Sequence, residues 1–264
     1  MSRIPAAALE LAESLNINCP QRAGEERVVR PGYAAIIGAE ADAHHNVVQR
    51  LRLAGDEVEA TVAEVRAIFA AKGRRRITWE VGDNAEPKDL AERLIALGMR
   101  PFLPDDRSVG MVLTRPLVSM DTGVTVRRVE TFEEFARGAW IFRRGFGSDD
   151  APEADPEIAL RWTEHRSVAA VERYLAFDGN EAIAVADALF LEAGVIMCGG
   201  ATVASARSRG AYRALINARW EEGRRRGTPT LITQAGAMSR PILARLGFEE
   251  VVQIRILLDE LAGA

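Results

Sequence analysis

RSRGAYRAL, Arg207 to Leu215, follows the apolar run GVIMCGGATV (Gly194 to Val203) and opens a segment, AYRALINARWEEGRRRG, with the pattern of a long helix. An apolar strand thus ends where a helix begins, and the junction carries two arginines and a glycine. The first turn of a helix leaves N–H groups without partners inside the helix. Together with the helix dipole they make a site for phosphate. Gly210 has no Cβ, so the backbone can approach such a ligand closely. Taken alone, the junction also has a plainer reading, a glycine that eases a turn and arginines that face water.

The flanking segments alternate between strand and helix patterns, which implies an α/β layer structure. Upstream of the junction, RYLAFDGNEAIAVADALFLEAGVIMCGGATVA holds three strand candidates, with DGNE (Asp178 to Glu181) as a tight hairpin. TFEEFARGAWIFRRGFG reads as a helix capped by Thr131, with Glu134 three residues on, and PEIALRWTEHRSV as a second. VTVRRV reads as a strand before them. Downstream come the strand TLITQA, a short helix from Ser239 and a last strand, EEVVQIRILL. The first half offers YAAIIGAEA as a strand and DEVEATVAEVRAIFAAKG as a helix, with Val58, Val62, Val65 and Phe69 at helical spacing and Gly73 as its stop. RITWEV (strand), EPKDLAERLIALG (helix from near Pro87) and SVGMVLTRP (strand) follow. A cluster of turn residues at Arg115 to Val124 predicts a break, with domains at 1–118 and 119–264. ITWEV followed by a helix ending ALGM (Ala96 to Met99) echoes LITQA followed by a helix ending RLGF (Arg245 to Phe248), so the two halves read as related.

The bulk composition narrows the function classes. At 264 residues, 48% hydrophobic and 27% charged, the chain has the balance of a globular protein. A formal net charge of -4 with scattered basic residues disfavours a nucleic-acid footprint. No window approaches eighteen uninterrupted apolar residues, so no membrane span is expected, and the N-terminal stretch, with charges inside its apolar run, reads as a helix and not a signal peptide. A cytoplasmic protein is the expectation. Cys19 and Cys198 lie far apart; a disulfide is open on counting alone, and reduced thiols are expected. No metal-ligand spacing is present. His44 and His45, adjacent in DAHHNVV, would point to opposite sides of a strand, which favours a turn or edge role.

In this ordered set the second half, from about Val124 to Leu258, resembles a Gcn5-related N-acetyltransferase (GNAT) domain. The pieces are Thr202-Val203 at a strand end, Arg-x-Arg-Gly at Arg207 to Gly210, a helix, a strand, a short helix and the LGF of Leu246 to Phe248. The resemblance implies a mixed, mostly antiparallel central sheet flanked by helices, in two similar halves of which the first is degenerate. It implies acetyl-CoA as co-substrate, with the pantetheine arm on the backbone of Ala201, Thr202 and Val203. Its diphosphate would lie on Arg207, Ser208, Arg209, Gly210, Ala211, Tyr212 and Arg213. The implied activity is acetyl transfer to an amine, a small molecule acting without nucleic acid or membrane; a homodimer is compatible with it. The alternative is an inactive acyl-CoA-binding or interaction module.

Two departures bear on that choice. Relatives usually carry Gly or Ala where this chain has Tyr212, whose ring is expected to pack outward. Many relatives also carry a tyrosine, four residues before the Gly of LGF, that protonates the departing thiolate, and here Leu243 stands there. Glu164, His165, Asp187 and Cys198 are the candidates for a proton acceptor or nucleophile, each against the plainer reading of a solvated or core residue. Trp140, Phe142 and Trp162 are pocket candidates against a plainer core role. LRLAGDEVEA (Leu51 to Ala60), at the corresponding place in the first half, is acidic and lacks the arginine-glycine loop, so no cofactor is expected there.

Overall fold

The structure, a computed structural model, describes residues 4–117, 123–147 and 157–261. Residues 118–122 of the expected break, and Pro156 at the head of an expected helix, lie outside the described residues. The chain runs α1 (Ala6–Glu13), α2 (Leu15–Asn18), β1 (Glu26–Val29), β2 (Ala34–Ile37), β3 (Asn46–Gln49), α3 (Val58–Ala71), β4 (Arg76–Gly82), α4 (Leu90–Ala96), β5 (Arg100–Pro101) and β6 (Arg107–Leu113). It continues with β7 (Val124–Arg128), α5 (Phe132–Gly145), α6 (Ile158–Ser167), β8 (Val171–Asp178), β9 (Glu181–Leu191), β10 (Gly194–Thr202), α7 (Ala211–Arg225), β11 (Leu231–Ala235), α8 (Arg240–Arg245) and β12 (Glu249–Glu260). Contacts group Leu9–Met111 with Gln234–Arg245 and Glu249–Ala264 as a first unit, and Val112–Thr233 with Met1–Ala8 and Leu246–Phe248 as a second.

In the first unit the strand order is β1-β2-β3-β4-β12-β6. All the registered pairs are antiparallel except β3–β4, which runs parallel over Val47↔Thr78 and Val48↔Trp79. Helix α3 makes the crossover between those parallel strands and buries Val58, Val62, Val65 and Phe69, the spacing read in the sequence. These residues join Trp79, Leu90, Leu94 and Leu257 in one core. Gly73 ends the helix with φ 69°, and Arg74 N–H closes back on Phe69 C=O at 2.9 Å. Helix α4 begins at Leu90, later than the expected start near Pro87, whose carbonyl instead accepts from Leu90 N–H in the preceding turn. His44 and His45 sit in a 3-10 turn, Ala43–His45, capped by Asp42.

In the second unit the order is β11-β10-β9-β8-β7, antiparallel except for β10–β11. Gly179, φ 58°, turns the hairpin between Asp178 and Glu181. Thr131 Oγ1 accepts from Glu134 N–H at 3.2 Å, the cap predicted for α5. One face of this sheet is covered by α5 and α6 around Phe135, Ile141, Leu175 and Val185. Helix α7 crosses between β10 and β11, as α3 does between β3 and β4. The two echo glycines adopt the same left-handed conformation, Gly98 at φ 97° and Gly247 at φ 96°, and each is followed by a buried apolar residue, Met99 or Phe248. Each unit is therefore a mostly antiparallel sheet with flanking helices and one parallel pair bridged by a helix.

Candidate active site

Strand β10 pairs with β9 from Gly194↔Leu191 to Thr202↔Ala184, and the register shifts between Cys198 and Gly200. Gly199 is the extra residue of this bulge, at φ 58°. A side chain there would lie 3.0 Å from the Phe142 ring, so α5 also relies on the glycine. On its other side β10 pairs with β11 over Val195–Leu231 and Ile196–Ile232; among the described residues that register goes no further, while β10 continues to Thr202. The backbone of Met197–Thr202 can there accept an extended ligand that carries amides.

The chain then turns through Ala206 and Arg207 into α7. Ser208 has φ 67° and Gly210 φ 85°. Left-handed residues at this spacing turn successive N–H groups to one concave side, an anion-binding arrangement. Gly210 caps α7 without a side-chain bond, and its carbonyl accepts from Ala214 N–H at 2.9 Å. The N–H groups of Ala211 and Tyr212 precede that first helical bond. Arg207 donates to Gly145 C=O at 3.1 Å, and Arg209 pairs with Asp178 at 2.9 Å. The arginines thus tie the loop to α5 and to the hairpin tip, and the backbone remains as the gripping surface. Ala201 is buried, Thr202 and Val203 are half-buried, and Val203 N–H bonds Ile183 C=O at 3.0 Å. The ten predicted residues therefore follow one another along a strand edge, a turn and a helix start.

Tyr212 departs from the expectation. Its ring turns inward onto β10, with Cε2 3.9 Å from the position a Cβ on Gly200 would take. Ala186, the register partner of Gly200, leaves the room for it. Burial raises the Tyr212 hydroxyl above its ordinary pKa.

The remaining candidates divide by their surroundings. Asp187 is held at both oxygens by Arg173, at 2.7 and 2.8 Å, so it is an ion-pair partner. Cys198 directs its thiol to Ile196 C=O, and neither cysteine is in a disulfide. His165 is half-buried beside Phe135 and Trp162, with ring centroids at 5.1 and 6.0 Å. Burial lowers its pKa, so the imidazole is neutral near pH 7 and able to accept a proton. Glu164, its neighbour on α6, accepts Ser167 Oγ at its carbonyl. Trp140, Phe142 and Trp162 pack against the core cluster. Leu243 is buried on α8.

The corresponding place in the first unit is closed by its own backbone. Glu86 N–H bonds Leu51 C=O at 3.1 Å, and Leu53 N–H bonds Glu86 C=O at 2.9 Å. A bridge between Arg52 and Glu86 thereby continues the β3–β4 pair. A cavity of about 170 Å³ does exist in this unit, lined by residues that include Cys19, Arg22, His44 and His45, and it takes in none of the predicted site residues. Among the described residues no His, Cys, Asp and Glu group could hold a metal ion, and no helix is long and apolar enough to cross a membrane.

No protein-family model matches the sequence, and no curated protein matches it. Solved structures do. A GCN5-related N-acetyltransferase from Kribbella flavida superposes with a TM-score of 0.70 at 18% identity, over 99% of this chain and 98% of its own. A tandem GNAT protein from the clavulanic acid biosynthesis pathway gives 0.67 at 14%, over 98% and 89%. A GCN5-related N-acetyltransferase from Sphaerobacter thermophilus gives 0.64 at 14%, over 92% and 85%. The chain has the GNAT fold, in its tandem two-half form.

Proposed function

We propose that this protein is an acetyl-CoA-dependent N-acetyltransferase acting on a small-molecule amine, with the site in the second half, residues 119–264. The observation that carries the reading is the turn into α7, where Ser208 and Gly210 hold left-handed backbone beside the end of β10, beyond its registered pairs with β11. A diphosphate fits such a turn because the N–H groups converge and the helix start is electropositive. The amides of a pantetheine arm suit the backbone of Ala201–Val203. The first half, with its slot closed by Leu51, Leu53 and Glu86, serves as scaffold.

The chemistry is attack of a neutral amine on the thioester in a ternary complex. N–H groups along β10 near Ala201 polarise the thioester carbonyl, and such donors are worth a few kcal/mol of barrier. His165 is the candidate base, being neutral near pH 7. A second reading, a non-catalytic acyl-CoA-binding module, has Leu243 in its favour, because leucine cannot donate a proton to the thiolate. Titration calorimetry with acetyl-CoA, followed by CoA release with an amine panel, separates the two. Binding with release supports the enzyme, binding without release supports the module, and no binding ends both.

A further inference from the structure

Besides its part as scaffold, the first half holds a cavity of about 170 Å³ whose lining comes entirely from that half. The apolar lining includes Ile36 of β2 and Val47 of β3, and the polar lining includes Arg22, Glu40, His44 and His45. Its walls are built by side chains that reach across the fold. Arg74 donates to Gly38 C=O at 2.8 Å and to Ala39 C=O at 2.6 Å. The fully buried Asn46 accepts from Gly38 N–H at 3.1 Å and donates to Glu40 C=O and Asp42 C=O at 2.9 and 2.7 Å. Arg27 donates to Ile17 C=O and Cys19 C=O at 2.8 and 2.7 Å, and to the Glu25 carboxylate at 2.6 Å. Gly38 lets His45 lie against it, since a Cβ there would stand 2.6 Å from that of His45. Walls fixed in this way are in place before a ligand arrives, which lowers the cost of binding.

Arg27 and Glu25 neutralise each other, and the groups left over differ in sign. The Arg22 side chain has no partner among the described residues and is a fork of donors suited to a carboxylate. The exposed Glu40 carboxylate stands 3.4 Å from His45 Nδ1. His44 Nδ1 bonds the Asp42 carboxylate at 2.8 Å, and the His44 backbone N–H and ring hold that carboxyl below its usual range. With its proton on Nδ1, the neutral His44 ring keeps a lone pair on Nε2, an acceptor. A wholly apolar ligand would leave these groups without partners. A diphosphate would meet the carboxylates of Glu25 and Glu40, which repel it. A ligand with one cationic and one anionic group matches both signs. A cavity of about 150 Å³ takes benzene, so this one suits a molecule of roughly eight non-hydrogen atoms.

We propose that this cavity binds a small free amino acid with an apolar side chain. Its carboxylate pairs with Arg22, its ammonium with Glu40 and His44, and its side chain packs on Ile36 and Val47. The proposal stands apart from the acyl-transfer reading, because no residue of the second half lines the cavity.

The test is calorimetry of the full chain, without acetyl-CoA, against alanine, valine, leucine, isoleucine and methionine. At least one is expected to bind, one per chain, with a Kd of about 1 mM or tighter. The decarboxylated amine and the deaminated acid of that amino acid should each bind at least tenfold more weakly. Arg22→Gln and Ala23→Phe, both at exposed positions on the lining, should each weaken binding at least tenfold with the ligand-free unfolding midpoint unchanged. The first removes the fork and the second fills the space. No heat with any of the five amino acids overturns the proposal. An amine or acid alone that binds as tightly as the amino acid overturns it too, by removing the need for both charges. Affinity within threefold of the wild type in either variant places the amino acid elsewhere on the chain, and the proposal falls. None of these results touches acetyl-CoA binding at the turn into α7, so the two readings fail separately.

Discussion

At the scale of single residues, two positions yield sharp expectations. Gly210 sits at φ 85°, where a residue with a Cβ is strained by about 1–2 kcal/mol, and a larger side chain would also shield the N–H groups behind it. Gly210→Val is expected to weaken acetyl-CoA binding at least tenfold in calorimetry while far-UV circular dichroism stays as in the wild type. Unchanged affinity in the folded variant would remove the cradle from the argument. Glu80 concerns stability instead. Burial pushes its carboxyl up to about 7, against the opposing hydrogen bonds from Gln49 and Asn16, both neutral donors. The folded protein then holds a proton between about 4.5 and 7 that the unfolded chain has released, so stability falls as pH rises through that window. Glu80→Gln should flatten that decline, a gain of up to about 3 kcal/mol at pH 8 at 1.4 kcal/mol per unit. Urea midpoints at pH 5 and pH 8 check it, and equal pH slopes for the two proteins would contradict it.

At the scale of elements, α7 is placed by close packing and not by helix propensity. A Cβ at Gly223 would stand 2.8 Å from Val195 Cγ2 on β10 and 3.0 Å from Thr228 C=O. Gly→Ala in a free helix gains about 1 kcal/mol, whereas overpacking of this kind costs about 1–3 kcal/mol. The second effect wins, because one of the two contacts is backbone and cannot swing away. Gly223→Ala should therefore lower the urea midpoint, and a raised midpoint would show that α7 has slack above β10. On the opposite face, Gly145 plays the same part for α5, since a Cβ there would come 2.6 Å from that of Ala201. The strand that carries the proposed ligand edge is thus gripped from both sides by helices with glycine at the contact.

At the scale of the whole molecule, the two related halves are not independent in sequence. The last strand, β12, pairs with β4 over seven positions, Ile254↔Gly82 to Glu260↔Arg76, and its Leu257 belongs to the first unit's core. A fragment of residues 1–118 lacks that strand and leaves the long edge of β4 unpaired, a row of N–H and C=O groups that invites aggregation. Such a fragment should show no cooperative thermal transition and should gain one when a peptide of residues 249–264 is supplied. A sharp transition in the fragment alone would show that β12 is dispensable. In the full chain, acetyl-CoA at 100 times its Kd should stabilise the site by roughly 2.7 kcal/mol, read as a rise in Tm.

Much of this was legible along the chain, and the legible parts share one property. The Thr131 cap, the Gly73 stop, the hairpin at Gly179, the left-handed Gly98 and Gly247 and the α3 spacing all depend on neighbours within a few residues. So does the turn at Ser208–Gly210 that the sequence marked as a phosphate cradle. Strands β1 and β3 were not legible. Asn46 and Gln49 at the ends of β3 are fully buried polar side chains, satisfied by Gly38, Glu40, Asp42, Ile17 and Glu80 from elsewhere in the chain. Nor could local pattern tell that β12 pairs with β4, that Asp187 is held by Arg173, or that the Tyr212 ring turns inward over Ala186 and Gly200. Capping and periodicity are short-range and written in adjacent residues. Strand partners, the room beside a ring and the charge around a carboxylate come from residues far apart in sequence, and only the folded chain brings them together.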